Sequence, residues 1–173
     1  DNSMVIRNAT IVDGTGGDPF EGDVFIKDGI IREVGNISND CDKQIDAKGL
    51  ILSPGFIDIH THFDPQLCWD GYATPSIEHG VTTVVTGNCS LSLAPIRNGG
   101  ENKIISMFQV IEDIKKPTFE EAVPFSWESF GEYLDHIKPG LGINVGALIG
   151  HSAVRLYVIC LLYTSPSPRD RSL

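Results

Sequence analysis

The chain lacks any apolar run near the roughly 20 residues that a bilayer-spanning helix requires. It also lacks an N-terminal basic segment leading into an apolar one, so no secretory signal is expected and a cytoplasmic protein is. Its four cysteines, Cys41, Cys68, Cys89 and Cys160, include no CxxC pair. That excludes a zinc ribbon and a thioredoxin-like site. A disulfide framework does not suit a chain of this size without a signal, so each cysteine reads first as a small buried hydrophobe. Positive charge is also scarce. Lys plus Arg number 13 against 23 Asp plus Glu, a formal net charge of −10. So acidic a surface argues against a nucleic-acid partner or a membrane and suits a soluble protein. No repeat at solenoid periods is present.

What remains is an ordinary globular balance. Hydrophobic residues make up 41% and charged residues 21%, which excludes a disordered tail, a collagen and a coiled-coil rod. A length of 173 residues allows one domain or one and a half.

The first fifty residues read as short strands and tight turns. Val5–Val12, Asp23–Lys27 and Ile30–Val34 have strand character, and Asp28-Gly29 between the last two is a strong hairpin signal. Gln44–Gly49 adds another strand and turn, so a small antiparallel β layer is expected. The character changes at Leu50. Leu50–His60 is nearly continuous in apolar residues, as in a strand buried on both faces. Thr74–Gly80 reads as a short helix capped by Thr74, with Pro75 at its first position. Val81–Val85 is a second buried strand. Glu101–Lys115 is helical, with Ile104, Met107, Phe108, Ile111 and Ile114 on one stripe. Ser126 is the expected cap of a helix carrying Trp127, Phe130, Leu134 and Ile137, which stops at Pro139-Gly140. Ile143–Gly150 is a third buried strand. Alternating strands and helices predict βαβ units with a parallel sheet.

His60 and His62 stand two apart at the end of the first such strand. Side chains two apart in a strand share a face, so Asp58, His60, His62 and, where the strand persists, Asp64 line one side. A lone histidine there would be a core residue. Two imidazoles flanked by carboxylates suit a divalent transition metal better than a core. Cys89 follows the second strand, so a parallel sheet brings it to the same edge, where α/β proteins build their sites. Gly87 and Asn88 allow a tight backbone path there. A thiolate at that edge is a soft zinc ligand; without the histidine pair it would read as packing.

The segment Ser53-Pro54-Gly55-Phe56-Ile57-Asp58-Ile59-His60-Thr61-His62-Phe63-Asp64 resembles the first barrel strand of the amidohydrolase superfamily. Thr86-Gly87-Asn88-Cys89-Ser90-Leu91-Ser92-Leu93-Ala94-Pro95 is similar to the N-acyl-D-amino-acid deacylase (D-aminoacylase) branch, in which a cysteine takes the bridging place of a carboxylated lysine. No lysine occurs between Lys48 and Lys103, so none after the first strand could supply that carbamate. The resemblance covers about residues 4–159. It implies an α/β fold: part of a small β-sandwich over 1–52, then the first βα units of a truncated metal-dependent (β/α)8 barrel over 53–159. It implies one or two zinc ions, with His60 and His62 at one metal position and Cys89 at its neighbour. Asp58, Asp64, Asn88 and His151 are expected around the pocket or behind the ligands. Ser90 stands where relatives commonly carry glycine. The catalytic aspartate and further histidines of the family would lie beyond this chain, so no catalytic residue is assigned within it.

The implied reaction is zinc-dependent hydrolysis of an N-acyl-D-amino acid, a small-molecule substrate, to a carboxylate and a D-amino acid. The alternatives are a hydantoinase-like or dihydroorotase-like cyclic amidohydrolase, which the missing lysine disfavours, and a noncatalytic scaffold. His79 and His136, near helix ends, read as structural, and Trp69 and Asp70 as pocket-shaping or surface residues. Residues 160–173, with the Ser-Pro repeats of Ser165–Pro168, resemble the translation of a sequencing adapter. They are expected to be a non-native tail on a fragment that is inactive and poorly soluble alone.

Overall fold

The computed structural model describes residues 2–159; Cys160 and the expected tail, 160–173, lie outside the described residues. The chain divides into two compact units between Pro54 and Gly55.

The first unit is a five-stranded sheet of β1 (Ser3–Ile11), β2 (Phe20–Lys27), β3 (Ile30–Gly35), β4 (Gln44–Asp46) and β5 (Ile51–Leu52). The strand order is β3-β2-β1-β4, with β5 also on β1. The hairpin between β2 and β3 turns at Asp28 and Gly29, with φ of 54° and 74°. Such a two-residue turn needs positive φ at both positions, which Asp-Gly tolerates. The expected antiparallel layer needs correction, because β4 and β5 run parallel to β1. Tight-turn logic covers only strands joined by a hairpin. Here the 36–43 connection returns the chain so that β4 pairs with Val5–Arg7, and β5 then takes Thr10–Ile11. Ala9, Ile11, Val24 and Ala47 form a small buried core.

The second unit is built on a parallel sheet of β6 (Phe56–Asp58), β7 (Val81–Thr86) and β8 (Asn144–Ala147), in that order. Among the described residues four α-helices accompany it: α1 (Glu101–Glu112), α2 (Lys116–Ala122), α3 (Phe130–Ile137) and α4 (His151–Ile159). The βαβ alternation expected from the sequence is present, with two 3₁₀ turns, Gln66–Cys68 and Ser76–His79, in the first crossover. No helix among the described residues is long and apolar enough to cross a membrane.

Several local expectations shift. Thr74 does not cap the short helix. Its N–H is taken by Asp70 Oδ2 (2.8 Å) and its carbonyl by Gln66 Nε2 (2.7 Å), so the helical turn starts at Ser76. α1 stops at Glu112 rather than Lys115, because Asp113 turns left-handed (φ 51°) and α2 begins anew with Pro117 in its first turn. Its buried stripe is Ile104, Ile105 and Phe108, while Ile111 is exposed. The cap of α3 is Ser129, not Ser126: its Oγ accepts the Glu132 N–H (3.3 Å) and Glu132 Oε2 accepts the Ser129 N–H (2.7 Å). This reciprocal pair satisfies two otherwise unpaired donors. Trp127 therefore precedes the helix, but it is buried and donates its indole N–H to Leu93 O (3.0 Å).

The largest correction concerns the first βα strand. β6 has only three residues, and Phe56, Ile57 and Ile59 are 65%, 63% and 73% exposed. β6 is an edge strand here, and nothing among the described residues covers these side chains. Leu148 and Ile149, after β8, are exposed as well. The core lies instead among the crossover elements: Leu93, Ile104, Phe108, Phe119 and Tyr133 are essentially buried, and Trp127 packs on Tyr133 and on His136 with ring centroids 5.1 Å apart.

Candidate metal centre

The ends of three parallel strands meet at one edge of the second unit, and the loops that follow them carry the polar side chains. β6 ends at Asp58, whose Oδ1 accepts the His60 N–H (3.2 Å). His60, Thr61 and His62 follow in irregular backbone, so the strand does not persist to Asp64. Thr61 is buried and donates both its N–H (3.0 Å) and its hydroxyl (2.8 Å) to Val85 O. Asn88 donates from Nδ2 to Thr61 O (3.2 Å) and Val85 O (2.9 Å). These bonds tie the loop after β6 to the loop after β7.

The second loop is tightly constrained. Gly87, Cys89 and Ser90 have φ of 79°, 54° and 67°. A Cβ at Gly87 would lie 1.9 Å from Leu148 O, so only glycine fits. Ser90 occupies the same left-handed region, which explains physically why glycine suits that position. Gly150 closes the arrangement by donating its N–H to Ser92 Oγ (3.0 Å).

The result is a cluster of donors. His60 Nε2 lies 3.3 Å from Cys89 Sγ. One donor atom from each of His60, His62 and Cys89 falls within 4.8 Å of the others. Among the described residues His62 Nδ1 is buried with no hydrogen-bond partner, and Nε2 lies 3.8 Å from Glu112 Oε1, beyond hydrogen-bond reach. Neither nitrogen is committed to a short hydrogen bond, so the ring keeps a lone pair for a cation. Two imidazoles and a thiol are donors of the kind that select zinc.

The other expected residues divide. Asp58 and Asn88 organise the loops around the donors. Asp64 is 1% exposed and outside the trio; its Oδ2 accepts the Gly87 N–H (3.2 Å), and its carbonyl accepts the Tyr133 hydroxyl (3.0 Å). His151 opens α4, is exposed and is not brought into the donor group. Trp69 is exposed; Asp70 accepts the Tyr72 and Thr74 N–H groups and so shapes its own loop. Sequence reasoning missed Glu112 and Thr61. Neither offered a signal: the stop of α1 at Glu112 is decided by the left-handed Asp113, and a threonine between two histidines is ordinary by type. Beside Cys89 opens a cleft of 660 Å³, lined largely by Leu91, Met107, Val110, Ile111 and Leu156.

Two consequences are measurable. Burial pushes the Asp64 carboxyl up from 3.8 to about 7, with the Glu112 charge adding to the rise and the Gly87 N–H opposing it. The folded state therefore holds this proton through a range where the unfolded chain has lost it. In the metal-free protein the contribution is largest at acid pH and is lost as pH rises from about 4 to about 7, by up to about 4 kcal/mol. Asp64→Asn removes the ionisation, and chemical denaturation across that range is expected to show a flatter pH profile. A variant profile as steep as the original would refute the assignment. Burial likewise pushes the Cys68 thiol up to about 12, whereas Cys89 is exposed. Iodoacetamide at pH 8 is expected to label Cys89 rapidly and Cys68 only after denaturant is added, as peptide mass spectrometry would resolve.

The fold and site define a mixed α/β protein with a His–His–Cys donor group at the carboxyl edge of a parallel sheet. The model of the Amidohydrolase family matches residues 43–170, and the chain belongs to that family. It is 31% identical over 158 residues to the D-aminoacylase of Alcaligenes xylosoxydans xylosoxydans, covering 90% of this chain and 30% of that protein. A D-aminoacylase structure described for its binuclear metal centre is 32% identical, with a TM-score of 0.76, over 96% of this chain and 33% of that one. The N-acyl-D-glutamate deacylase of Bordetella bronchiseptica, solved with zinc and a phosphonate inhibitor, is 28% identical, with a TM-score of 0.70, at the same coverage. The chain thus spans about a third of the length of these relatives.

Proposed function

We propose that this chain carries the zinc-ligand segment of an amidohydrolase that cleaves the amide bond of N-acyl-D-amino acids. On this reading residues 1–52 belong to a small β-sandwich, and 53–159 supply the first βα units of a (β/α)8 barrel. The observation that carries it is the approach of Cys89 Sγ to His60 Nε2, 3.3 Å, across 29 residues of sequence. The exposed apolar residues on β6 and after β8 support the barrel reading, since in a closed barrel both edges are paired and both faces covered.

His60, His62 and Cys89 would hold the zinc. When bound, the ion supplies Lewis acidity, bringing the pKa of a water to about 7 and polarising the acyl carbonyl. This chain's other residues hold the donors in place. Thr61 and Asn88 lock the two ligand loops together, and Asp64 fixes Gly87, two residues before Cys89. The cleft beside Cys89, with Leu91, Met107 and Leu156 in its wall, suits the hydrocarbon part of an acyl amino acid.

The test has two arms. Purified chain, reconstituted and desalted, is expected to retain zinc near one equivalent by elemental analysis. The complete protein containing it is expected to hydrolyse N-acetyl-D-amino acids and spare hydantoins. Zinc below a tenth of an equivalent, or turnover of hydantoins alone, would overturn the reading.

A further inference from the structure

We propose that Glu112 is a positioning residue for the donor group, its carboxylate holding and polarising the His62 ring; this rests on the metal reading above and adds to it the partner that orients one ligand. Glu112 Oε1 lies 3.8 Å from His62 Nε2. Both side chains are largely withdrawn from water, 14% exposed for His62 and 29% for Glu112, so the charge is screened less than at a free surface.

The placement is otherwise unfavourable. Glu112 is the last residue of α1, where the helix dipole is negative and a carboxylate is disfavoured. A local rule broken in this way is typical of functional positions. A cation held by the His62 ring offsets that cost.

The geometry is also stiff. α1 is pinned to the core by Ile104, Ile105 and Phe108, and the chain leaves it through Asp113 in the left-handed region. Glu112 therefore stands on a fixed helix end. His62 does not: it lies four residues past the end of β6, where no ladder bond orients it, and its Nδ1 has no hydrogen-bond partner among the described residues. Histidines that ligate metals are generally held by an outer carboxylate or carbonyl, and loss of that partner costs roughly 10–100-fold in metal affinity. At 3.8 Å the contact is too long for a hydrogen bond, so the carboxylate acts by its charge on the ring and on a cation the ring holds.

The experiment is a Co²⁺ titration of the full 173-residue chain under reducing conditions. It follows the thiolate-to-cobalt absorption that Cys89 would give, with circular dichroism as a check on folding. Glu112→Gln is expected to weaken Co²⁺ binding by roughly 10–100-fold, while reaching the same absorption at saturation with an unchanged dichroism spectrum. Glu112→Asp is expected to recover part of the loss. Glu120→Gln, at an exposed glutamate paired with Lys116 (3.5 Å), serves as a charge control and is expected to change nothing. Unchanged affinity in Glu112→Gln overturns the proposal. Loss of the thiolate absorption at saturating Co²⁺ also overturns it, since that would make Glu112 essential to ligation itself. An unaltered chain that gives no such absorption overturns the metal reading and this proposal with it, which keeps the two failures distinct.

Discussion

Replacing Cys89 with alanine is expected to abolish stoichiometric zinc binding, with a loss of affinity beyond the roughly 10–100-fold that removal of an outer-sphere partner costs. The sulfur is the soft donor of the group, and it sits 3.3 Å from His60 Nε2. Without it two imidazoles remain, one fewer than the three protein ligands that catalytic zinc sites commonly use. The substitution is clean at the backbone. Cys89 has φ of 54°, and alanine bears that conformation about as poorly as cysteine, so folding changes little. Cys68→Ala is the matched control. Cys68 packs against the hydrophobic core, so its removal lowers stability without touching zinc. Equal zinc content in Cys89→Ala and the unaltered chain would remove sulfur from the site and the deacylase reading with it.

Gly87→Ala is expected to be the most damaging single-methyl change in the second unit. The added Cβ would meet Leu148 O at 1.9 Å, a backbone atom, and both chain segments are held in place. Leu148 N–H donates to Thr86 O (3.0 Å), and Gly87 N–H donates to Asp64 Oδ2 (3.2 Å). The φ of 79° at Gly87 adds its own strain for any residue with a Cβ. Relief requires the β7 and β8 ends to separate, which moves Cys89 away from the histidines. A loss of about 3 kcal/mol or more is expected in denaturant unfolding, together with loss of zinc retention. Gly29→Ala is the comparison: Gly29 has a similar φ of 74°, but the added methyl would have nothing within 4 Å, so only the strain is felt. Equal effects at the two positions would show that close approach at Leu148 contributes nothing.

How much of the fold is legible from residues alone depends on how local each determinant is. The hairpin at Asp28-Gly29 was legible because two adjacent residues settle the turn. The alternation of strands and helices was legible because burial periodicity spans many residues and tolerates errors at the ends. Helix boundaries were less legible. Ser126 and Ser129 are equally plausible caps by type, and only the glutamate three residues after Ser129 distinguishes them. The stop of α1 at Glu112 depends on a left-handed Asp113, which composition does not announce. The exposure of Phe56, Ile57 and Ile59 was invisible for another reason. An apolar run states what a strand needs covered, not whether covering elements are present.

The amino-acid sequence by itself determined which donor chemistry is available: two imidazoles at i, i+2 and a thiol after the next strand, with no lysine between Lys48 and Lys103 to take its place. Those are facts of residue type and spacing, and parallel strand order carries them to one edge. Only the tertiary structure decided how the donors are held. The bond from Asp64 to Gly87, the Asn88 bridge to Thr61 and the approach of Glu112 to His62 join residues 23, 27 and 50 positions apart. Contacts of that kind depend on where α1 and the strand ends pack, which no local pattern encodes.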